Sequence, residues 1–468
     1  MIYVLALSSI VILSAIFTNR FLSALGIPAL FFFLCLGLLF GSDGLFKIDY
    51  SDFELTKEIS SIALGFIIFY GGFCTKWKTA KPALYQSIIL STFGVLFTAI
   101  AVGLFCYYAL KLPLLESFLF GSVIGSTDAA SVFSILRSKK LHLKEHTAPL
   151  LELESGSNDP MSYILVVLAL TLMQGESPEF VFWLFLKQMI LGILTGVFVA
   201  KCAIYIFQKT KVVTDGNDSL FVISLVLASY LLPMIYDGNP YLAVYFFGII
   251  LGNSRIDNKV SMMNFFDSLT KLAQIGIFFI LGLLATPTKI PEVLYSGVFI
   301  FLFLTFIARP VVVYLLLIPF KSSLGQRMLV AWAGLRGVAS IVFAIIAMDS
   351  NVGLDYDLFH LVFLISVLSV AFQGTFLPWI AKSSRMIDEK VDIRKTFNDY
   401  QEECAVKFMR VTVPAKHQWI GKKISEISFP ESSLVLYIKR DGKRILPQNS
   451  TKIKEGDRIT LTMIMEEL

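Results

Sequence analysis

Thirteen apolar segments dominate the sequence and restrict it to a polytopic helical membrane fold. They lie at approximately 2–18, 27–41, 55–74, 83–110, 115–137, 148–173, 180–208, 219–236, 240–253, 264–285, 293–319, 325–349 and 357–381. A helix needs about 20 mostly apolar residues to cross a hydrocarbon core, and fewer where it is broken or shielded by protein. The sequence therefore predicts about thirteen transmembrane helices.

The overall composition argues against a soluble domain and against a nucleic-acid partner. Hydrophobic residues make up 56% of the chain and charged residues only 16%, with a mean hydropathy of +0.73, so there are too few charges to cover a globular surface. The net charge of +5 comes from basic residues in short loops, where they set topology. Residues 1–17 lack a basic leader and a small-residue cleavage site, and we expect a retained first span.

Lysine and arginine are concentrated in the loops on one side of the membrane. With the amino terminus outside, the cytoplasmic loops hold fourteen basic residues, whereas the external loops keep Lys47, Lys111 and Lys289. Loops rich in lysine and arginine remain in the cytoplasm. We therefore expect an external amino terminus and a cytoplasmic carboxyl-terminal tail.

A short repeat links the fifth and twelfth spans. The sequence G-S-T-D-A-A-S-V at 125–132 aligns with G-L-R-G-V-A-S-I at 334–341. Spans one to six and eight to thirteen then form two inverted repeats, whose broken helices cross near the midplane. Small residues also favour close helix packing without a repeat. Asp128 and Arg336, at the centre of these spans, favour the broken helices, because a charge there must be paired or hydrated.

The sixth span begins with a run of oxygen-bearing side chains, E-L-E-S-G-S-N-D-P at 152–160. Helical spacing places Ser155 beside Asp159, and Pro160 leaves a backbone carbonyl free. Together with Thr127, these oxygens could replace the water around a monovalent cation. A buried Asp159 would hold either a cation or a proton, and this competition would couple the two. Because Asn158 is neutral, we expect one proton per cation.

Glu154 and Arg336 have opposite charges and similar inferred depths. We predict a structural ion pair between them across the two repeats, with Asp128 as an alternative partner for Arg336.

These motifs resemble the monovalent cation/proton antiporter-1 family. The resemblance lies in T-D of span five, E-S-G-S-N-D-P of span six and G-L-R-G-V-A-S of span twelve. It implies a homodimer in a bacterial cell membrane that works by an elevator motion, with spans four to six and eleven to thirteen as the moving core. Members with an asparagine-aspartate pair are electroneutral exchangers of sodium or potassium. The expected cation and proton site consists of Asp159, Ser155, Thr127, Asp128 and Asn158.

The third span departs from this family pattern. It carries Tyr70 where many relatives place an acid, and a neutral phenol offers one oxygen. The choice of ion therefore does not follow from acid-bearing relatives.

The tail changes in composition after the last span. We predict a transmembrane domain at 1–382, a linker helix at 383–404 and a small α+β domain at 405–468, with a hairpin turn at Asp441-Gly442 and a short helix at 421–427. This last domain resembles the TrkA-C-like regulator of potassium conductance. Such domains dimerise and bind small regulators, cyclic di-AMP in some transporters, although a dimerisation module without a ligand is an alternative.

The leading interpretation is potassium/proton exchange, with sodium/proton exchange as the alternative, and no enzymatic activity or cofactor is expected. A potassium channel is disfavoured because no filter sequence such as T-V-G-Y-G is present. A receptor that does not transport leaves the charges inside the membrane unexplained.

Overall fold

The structure is a computed structural model of the chain. It describes residues 29–139, 141–209, 217–256, 258–350, 352–388, 406–414, 417–427, 433–440 and 443–464, together with Ser9, Val11, Leu13 and Ser14. Most of the predicted first span lies outside the described residues. The chain divides into two compact units, one within residues 1–389 and one within residues 390–468.

Helices make up the first unit. Within the described residues they are α1 (Ala29–Phe40), α2 (Phe53–Cys74), α3 (Trp77–Leu110), α4 (Leu114–Val123), α5 (Ala129–Ser138), α6 (Thr147–Met173), α7 (Pro178–Lys209), α8 (Asp218–Met234), α9 (Pro240–Gly252), α10 (Lys259–Leu284), α11 (Pro287–Phe320), α12 (Leu324–Trp332), α13 (Val338–Asp349) and α14 (Leu358–Ser383). Each predicted span from the second to the thirteenth coincides with one of these helices or with a consecutive pair.

Length and composition identify the helices that can cross a bilayer on their own. Six of the described helices have at least 18 residues and are sufficiently apolar, namely α2, α3, α7, α10, α11 and α14. The apolar helices α4, α8, α9 and α13 are shorter, whereas α6 has 27 residues and carries the polar run at 152–160. Backbones approach closely at small residues, as at Gly252, where an added Cβ would lie 2.2 Å from the carbonyl oxygen of Phe73. Such contacts are typical of helix packing in membranes.

The fifth and twelfth spans are each broken near the middle, as the repeat predicted. The chain unwinds between α4 and α5 and again between α12 and α13. The two unwound segments cross, and the backbone N–H of Asp128 donates to the carbonyl oxygen of Leu335 at 2.8 Å. The predicted fold class, a helical membrane protein with crossed broken helices, is therefore confirmed.

The second unit contains a four-stranded antiparallel sheet. Its strands are β1 (Val406–Thr412), β2 (Ser433–Arg440), β3 (Lys443–Ile445) and β4 (Arg458–Ile464), in the order β1-β4-β2-β3. The predicted turn at 441–442 lies outside the described residues, but the strands on either side of it pair as a hairpin. Most of the predicted linker helix also lies outside them.

The predicted helix at 421–427 is wrong. Only Ile424–Glu426 form a single 3₁₀ turn, because the backbone N–H groups of Ile424 and Ser425 bond to the carbonyls of Thr451 and Asn449. These bonds tie the segment to a neighbouring loop and leave no continuous helical ladder.

A buried ion pair stabilises this small domain. The Nε and Nη2 atoms of Arg440 donate to the two carboxylate oxygens of Asp457, each at 2.7 Å, and Asp457 is fully buried. Burial by itself raises the pKa of the Asp457 carboxyl. The hydrogen bonds from Arg440 and from the backbone N–H of Lys454 outweigh it and hold the pKa below its ordinary value. This pair therefore stabilises the fold in its charged form.

Replacing Asp457 with asparagine should destabilise the small domain by about 2 kcal/mol, less than for a fully buried pair because Arg440 keeps contact with water. Amide hydrogen exchange of the full-length protein measures this as faster exchange in β2 and β4. The native carboxyl has a lowered pKa, so its contribution is complete at neutral pH and is lost as the pH falls below about 4. Exchange in the variant that matches the parent at neutral pH would contradict this role.

Candidate cation and proton site

The broken ends of α4, α5, α12 and α13 meet at the crossing. They bring together the partial positive charges of helix amino termini and the partial negative charges of helix carboxyl termini. Asp128 precedes α5, and its carboxylate accepts hydrogen bonds from the N–H and the hydroxyl of Ser131. The same carboxylate lies against Gly337 before α13, where an added Cβ would be 2.4 Å from Asp128 Oδ2. A negative charge near two helix amino termini is stabilised by the partial positive charges of those termini. Asp128, predicted as part of the cation site, therefore caps the broken helices.

Arg336 supplies a positive charge at a helix carboxyl terminus, as Asp128 supplies a negative charge at the amino termini. Its Nη1 donates to the carbonyl oxygens of Gly125, at 2.8 Å, and Ser126, at 2.5 Å, just beyond the end of α4. These carbonyls have no helical donor, and a buried guanidinium satisfies them. Among the described residues, no ion pair joins Arg336 to Glu154 or to Asp128.

The predicted ion pair of Glu154 with Arg336 is corrected to a pair of Glu154 with Arg309. Arg309 Nη2 donates to Glu154 Oε1, and the two side chains are only 3% and 2% exposed. Arg309 lies in α11 and packs against Gly334 in the second break. Arg336 is held by the carbonyls beyond α4, so α11 supplies the positive charge that Glu154 needs.

Asp159 lies on α6 beside the first break. The hydroxyl of Ser126 donates to its Oδ1. Its other oxygen, Oδ2, has no hydrogen-bond donor in the described part of the chain. The carboxylate therefore retains a free oxygen at the crossing, where a cation or a proton can bind.

The side chains of Asn158 and Thr127 lie together at the same level of the crossing. Asn158 is completely buried, and its Nδ2 donates to Thr127 Oγ1. The Asn158 Oδ1 atom is buried and has no donor within the described residues. An unpaired amide oxygen in such a place is costly unless a ligand or water reaches it. It is therefore a candidate ligand beside Asp159.

Ser155, predicted as a cation ligand, joins the sixth span to the first break. Its hydroxyl donates to the carbonyl oxygen of Thr127 at 2.7 Å and accepts from the N–H of Ala129 at 2.9 Å. The backbone carbonyls of the break have donors as well, because Ser155 donates to Thr127, and Arg336 donates to Gly125 and Ser126. The hydroxyl of Ser155 thus fixes the unwound backbone beside Asp159.

Replacing Ser155 with alanine should destabilise the fold by about 1 kcal/mol, because two partly buried backbone groups, the Thr127 carbonyl and the Ala129 N–H, lose their partner. We also expect a lower apparent affinity for the cation, since the Thr127 segment would no longer be held beside Asp159. Thermal unfolding of purified protein and the cation dependence of transport measure the two effects. A Ser254→Ala variant is the control, since the hydroxyl of Ser254 donates to the carbonyl of Leu251 one turn earlier in the chain. Identical behaviour of the two variants would contradict this role.

An acid does lie beside Tyr70, although α2 does not provide it. The hydroxyl of Tyr70 donates to Oδ1 of Asp267, on α10, at 2.9 Å. Lys271 contacts the other oxygen of Asp267 at 2.7 Å. A carboxylate therefore lies next to Tyr70, but it belongs to another helix and could not be predicted from the third span alone.

Three residues of this region were missed by sequence reasoning. Arg309 had a usable signal, since it is an arginine within an apolar span. Ser126 lies next to the predicted Thr127 but carries no charge. The contact of Asp267 with Tyr70 depends on the packing of α10 against α2 and has no local signal.

Crossed broken helices with a carboxylate at their centre define a secondary transporter of small ions. Residues 9–383 match the family described as sodium/hydrogen exchanger, transmembrane, and residues 408–468 match the TrkA-C domain. The chain belongs to the sodium/hydrogen exchanger family and is a membrane-embedded cation/proton antiporter. Its tail is a TrkA-C domain.

Curated relatives cover nearly the whole chain. A K(+)/H(+) antiporter NhaP2 of Shewanella baltica (strain OS223) is 31% identical over 442 residues, which are 93% of this chain and 76% of the relative. A K(+)/H(+) antiporter NhaP of Alkalimonas amylolytica is 30% identical, over 95% of this chain and 78% of the relative. These similarities extend through both units.

A solved structure shares the membrane fold. The sodium proton antiporter MjNhaP1 from Methanocaldococcus jannaschii at pH 8 superposes with a TM-score of 0.70 and 22% sequence identity, covering 80% of this chain and 99% of that one. At this identity the likeness concerns the fold alone.

Proposed function

We propose that this antiporter exchanges potassium for protons electroneutrally, with Asp159 carrying either ion in turn. The observation that carries the proposal is the Asp159 carboxylate with a free oxygen, next to the unpaired buried oxygen of Asn158. A buried carboxylate without a proton or a cation is costly. The names of the two relatives as K(+)/H(+) antiporters support potassium as the cation.

The cation ligands in this proposal are four neighbouring side chains. Asp159 supplies the charge, and Asn158, Thr127 and Ser126 supply neutral oxygens. Ser126 and Thr127 reach the site because the backbone is unwound there. Asp128 is committed to capping α5 and to its contact with Gly337. Of the two carboxylates at the crossing, Asp159 is then the one free to exchange its proton, which supports one proton per cation.

An elevator motion is consistent with how the helices are joined. The breaks bond directly to each other, and the Glu154–Arg309 pair ties α6 to α11. We propose that α3–α6 and α11–α14 move as one body. By contrast, α9 meets α6 through the hydroxyl of Tyr245, at 3.4 Å from the Leu153 carbonyl, and through Asn239 at the carbonyl of Pro160. The ion pair of Lys57 on α2 with Asp349 on α13 also joins the two bodies, and it would have to break for them to slide.

The chain is proposed to work as a homodimer with an external amino terminus and a cytoplasmic tail. Many large apolar side chains of α7 face outward, and a second copy or lipid must cover them. They are Phe180, Phe182, Trp183, Ile190, Leu194 and Phe198. The loop charges support the orientation.

We propose that the tail regulates transport by binding a small anionic nucleotide such as cyclic di-AMP. The TrkA-C match supports a regulatory domain, and exposed basic side chains support an anionic ligand. They are Lys422, Lys423, Lys439, Lys452, Lys454 and Arg458. Adding cyclic di-AMP to the purified protein should change its transport rate, and an unchanged rate would contradict this part of the proposal.

Proteoliposomes with an imposed pH gradient test ion choice and stoichiometry. Added potassium should dissipate the gradient without generating a membrane potential, as reported by a voltage-sensitive dye. A response to sodium alone would favour sodium/proton exchange, the second candidate. A potential that grows with flux would contradict the one-for-one exchange.

A further inference from the structure

An aromatic groove lies on the outer surface of α12, the helix that precedes the second break, and of its neighbours. It has a volume of about 440 Å³ and is formed by α11, α12 and α14. Six aromatic side chains line it, namely Phe306, Tyr314, Trp332, Phe372, Phe376 and Trp379. Most of them are substantially exposed, with Trp379 at 62%. The groove is therefore an apolar recess open to the outside of the helix bundle.

The floor of the groove is fixed by hydrogen bonds between two of its helices. The indole Nε1 of Trp332 donates to the carbonyl oxygen of Gln373 at 3.0 Å, and Gln373 Nε2 donates back to the carbonyl oxygen of Trp332 at 3.3 Å. Both partners are held in place, so the recess is already formed. A preformed recess spares a ligand the cost of ordering its walls.

Positive charge lies at one end of the groove, at the membrane face where α11 and α14 end and α12 begins. The guanidinium of Arg327 lies 5.9 Å from the ring of Tyr314, which lines the groove. Lys382 is exposed and follows Trp379 by three residues, so the two side chains are neighbours on the surface of α14. The groove thus joins a long apolar wall to two cationic groups.

We propose that this groove binds one anionic phospholipid, with an acyl chain along the aromatic wall and the phosphate between Arg327 and Lys382. Basic side chains beside apolar helix surfaces recognise acidic headgroups, and Trp and Tyr side chains favour the headgroup level. A transmembrane helix of a second copy does not fit, because a volume of this size holds at most about one turn of a helix 10–12 Å wide. A slender acyl chain fits.

Lipid retention tests the proposal without reference to transport. Full-length protein is exchanged into vesicles of equal parts phosphatidylcholine and phosphatidylglycerol and extracted, and bound lipid is counted by mass spectrometry. The parent should retain phosphatidylglycerol in preference. Arg327→Gln and Lys382→Gln should each lower its retention about fivefold, since one basic residue contributes about 1 kcal/mol to binding an acidic lipid. Lys209→Gln, at an exposed lysine in the last turn of α7, should not.

Two further measurements in the same experiment identify the ligand. Soluble glycerophosphoglycerol, which carries the headgroup without acyl chains, should not displace the bound lipid, because the aromatic wall supplies most of the contact. Trp379→Ala should lower retention while leaving the oligomeric state unchanged. Equal retention in the Arg327→Gln, Lys382→Gln and Lys209→Gln variants would overturn the proposal. So would displacement by the headgroup alone, or a change of oligomeric state with Trp379→Ala, which would assign the groove to a second copy.

Discussion

Replacing Asp159 with asparagine should reduce potassium-dependent proton flux to the level of vesicles without protein. The amide keeps the size and polarity of the side chain but can neither bind a proton at neutral pH nor supply a negative charge to a cation. Both halves of the exchange are then lost together. A pH-sensitive dye inside proteoliposomes measures the flux after potassium is added.

The matched control for this change is Asp49→Asn, at an exposed carboxylate in a loop. It makes the same chemical substitution and should leave the flux unchanged. The fold should survive in Asp159→Asn, because the hydroxyl of Ser126 can still donate to the amide oxygen. Coupled flux that persists in a folded Asp159→Asn protein would remove this residue from the mechanism.

Replacing Glu154 with glutamine should destabilise the membrane unit by about 3–5 kcal/mol. The change leaves the Arg309 guanidinium buried without a counter-charge, and Arg309 is only 3% exposed. Removing one member of a buried pair costs more than the pair itself contributes, because the remaining charge has lost its water as well as its partner. Thermal unfolding of the purified protein should show a large drop in midpoint.

Two further variants define the origin of that effect. Glu292→Gln, at an exposed acid of α11, should change the free energy of unfolding by less than about 0.5 kcal/mol. The double change Glu154→Leu with Arg309→Met removes both charges and should be more stable than Glu154→Gln. If the Glu154→Gln and Glu292→Gln proteins have the same midpoint of thermal unfolding, the Glu154–Arg309 pair does not stabilise the fold.

The helical plan of the membrane unit followed from the sequence to within a few residues. Apolar length determines where a helix can cross the bilayer, and it located spans such as α7 and α14. The breaks were also predictable, because Gly125 and Gly334 recur in register with charged neighbours inside apolar spans. Such a pattern has few physical explanations within a membrane.

The partners of the buried side chains at the crossing were harder to predict from the sequence. Glu154 and Arg336 were correctly recognised as buried charges, but their partners depend on which helix packs where. Arg336 bonds to carbonyls beyond α4, and Arg309 meets Glu154 instead. Depth along a span can be read from a sequence, whereas rotation about the helix axis and the neighbour across the interface cannot.

The short helix predicted at 421–427 failed for a related reason. Its backbone groups bond to a loop about 25 residues further along the chain, at Asn449 and Thr451. A long-range bond of this kind overrides local helix preference. By contrast, the strands on either side of the predicted hairpin turn, β2 and β3, pair with each other over a short sequence separation.

Proton release on potassium binding tests most directly whether the two ions compete for Asp159. Purified protein in weakly buffered solution is titrated with potassium while a dye reports the pH, and bound potassium is counted in parallel. We expect one proton to be released for each potassium ion bound at a pH where the site is protonated, and none from Asp159→Asn. Potassium binding without proton release, or equal release from Asp159→Asn, would contradict exchange at this carboxylate.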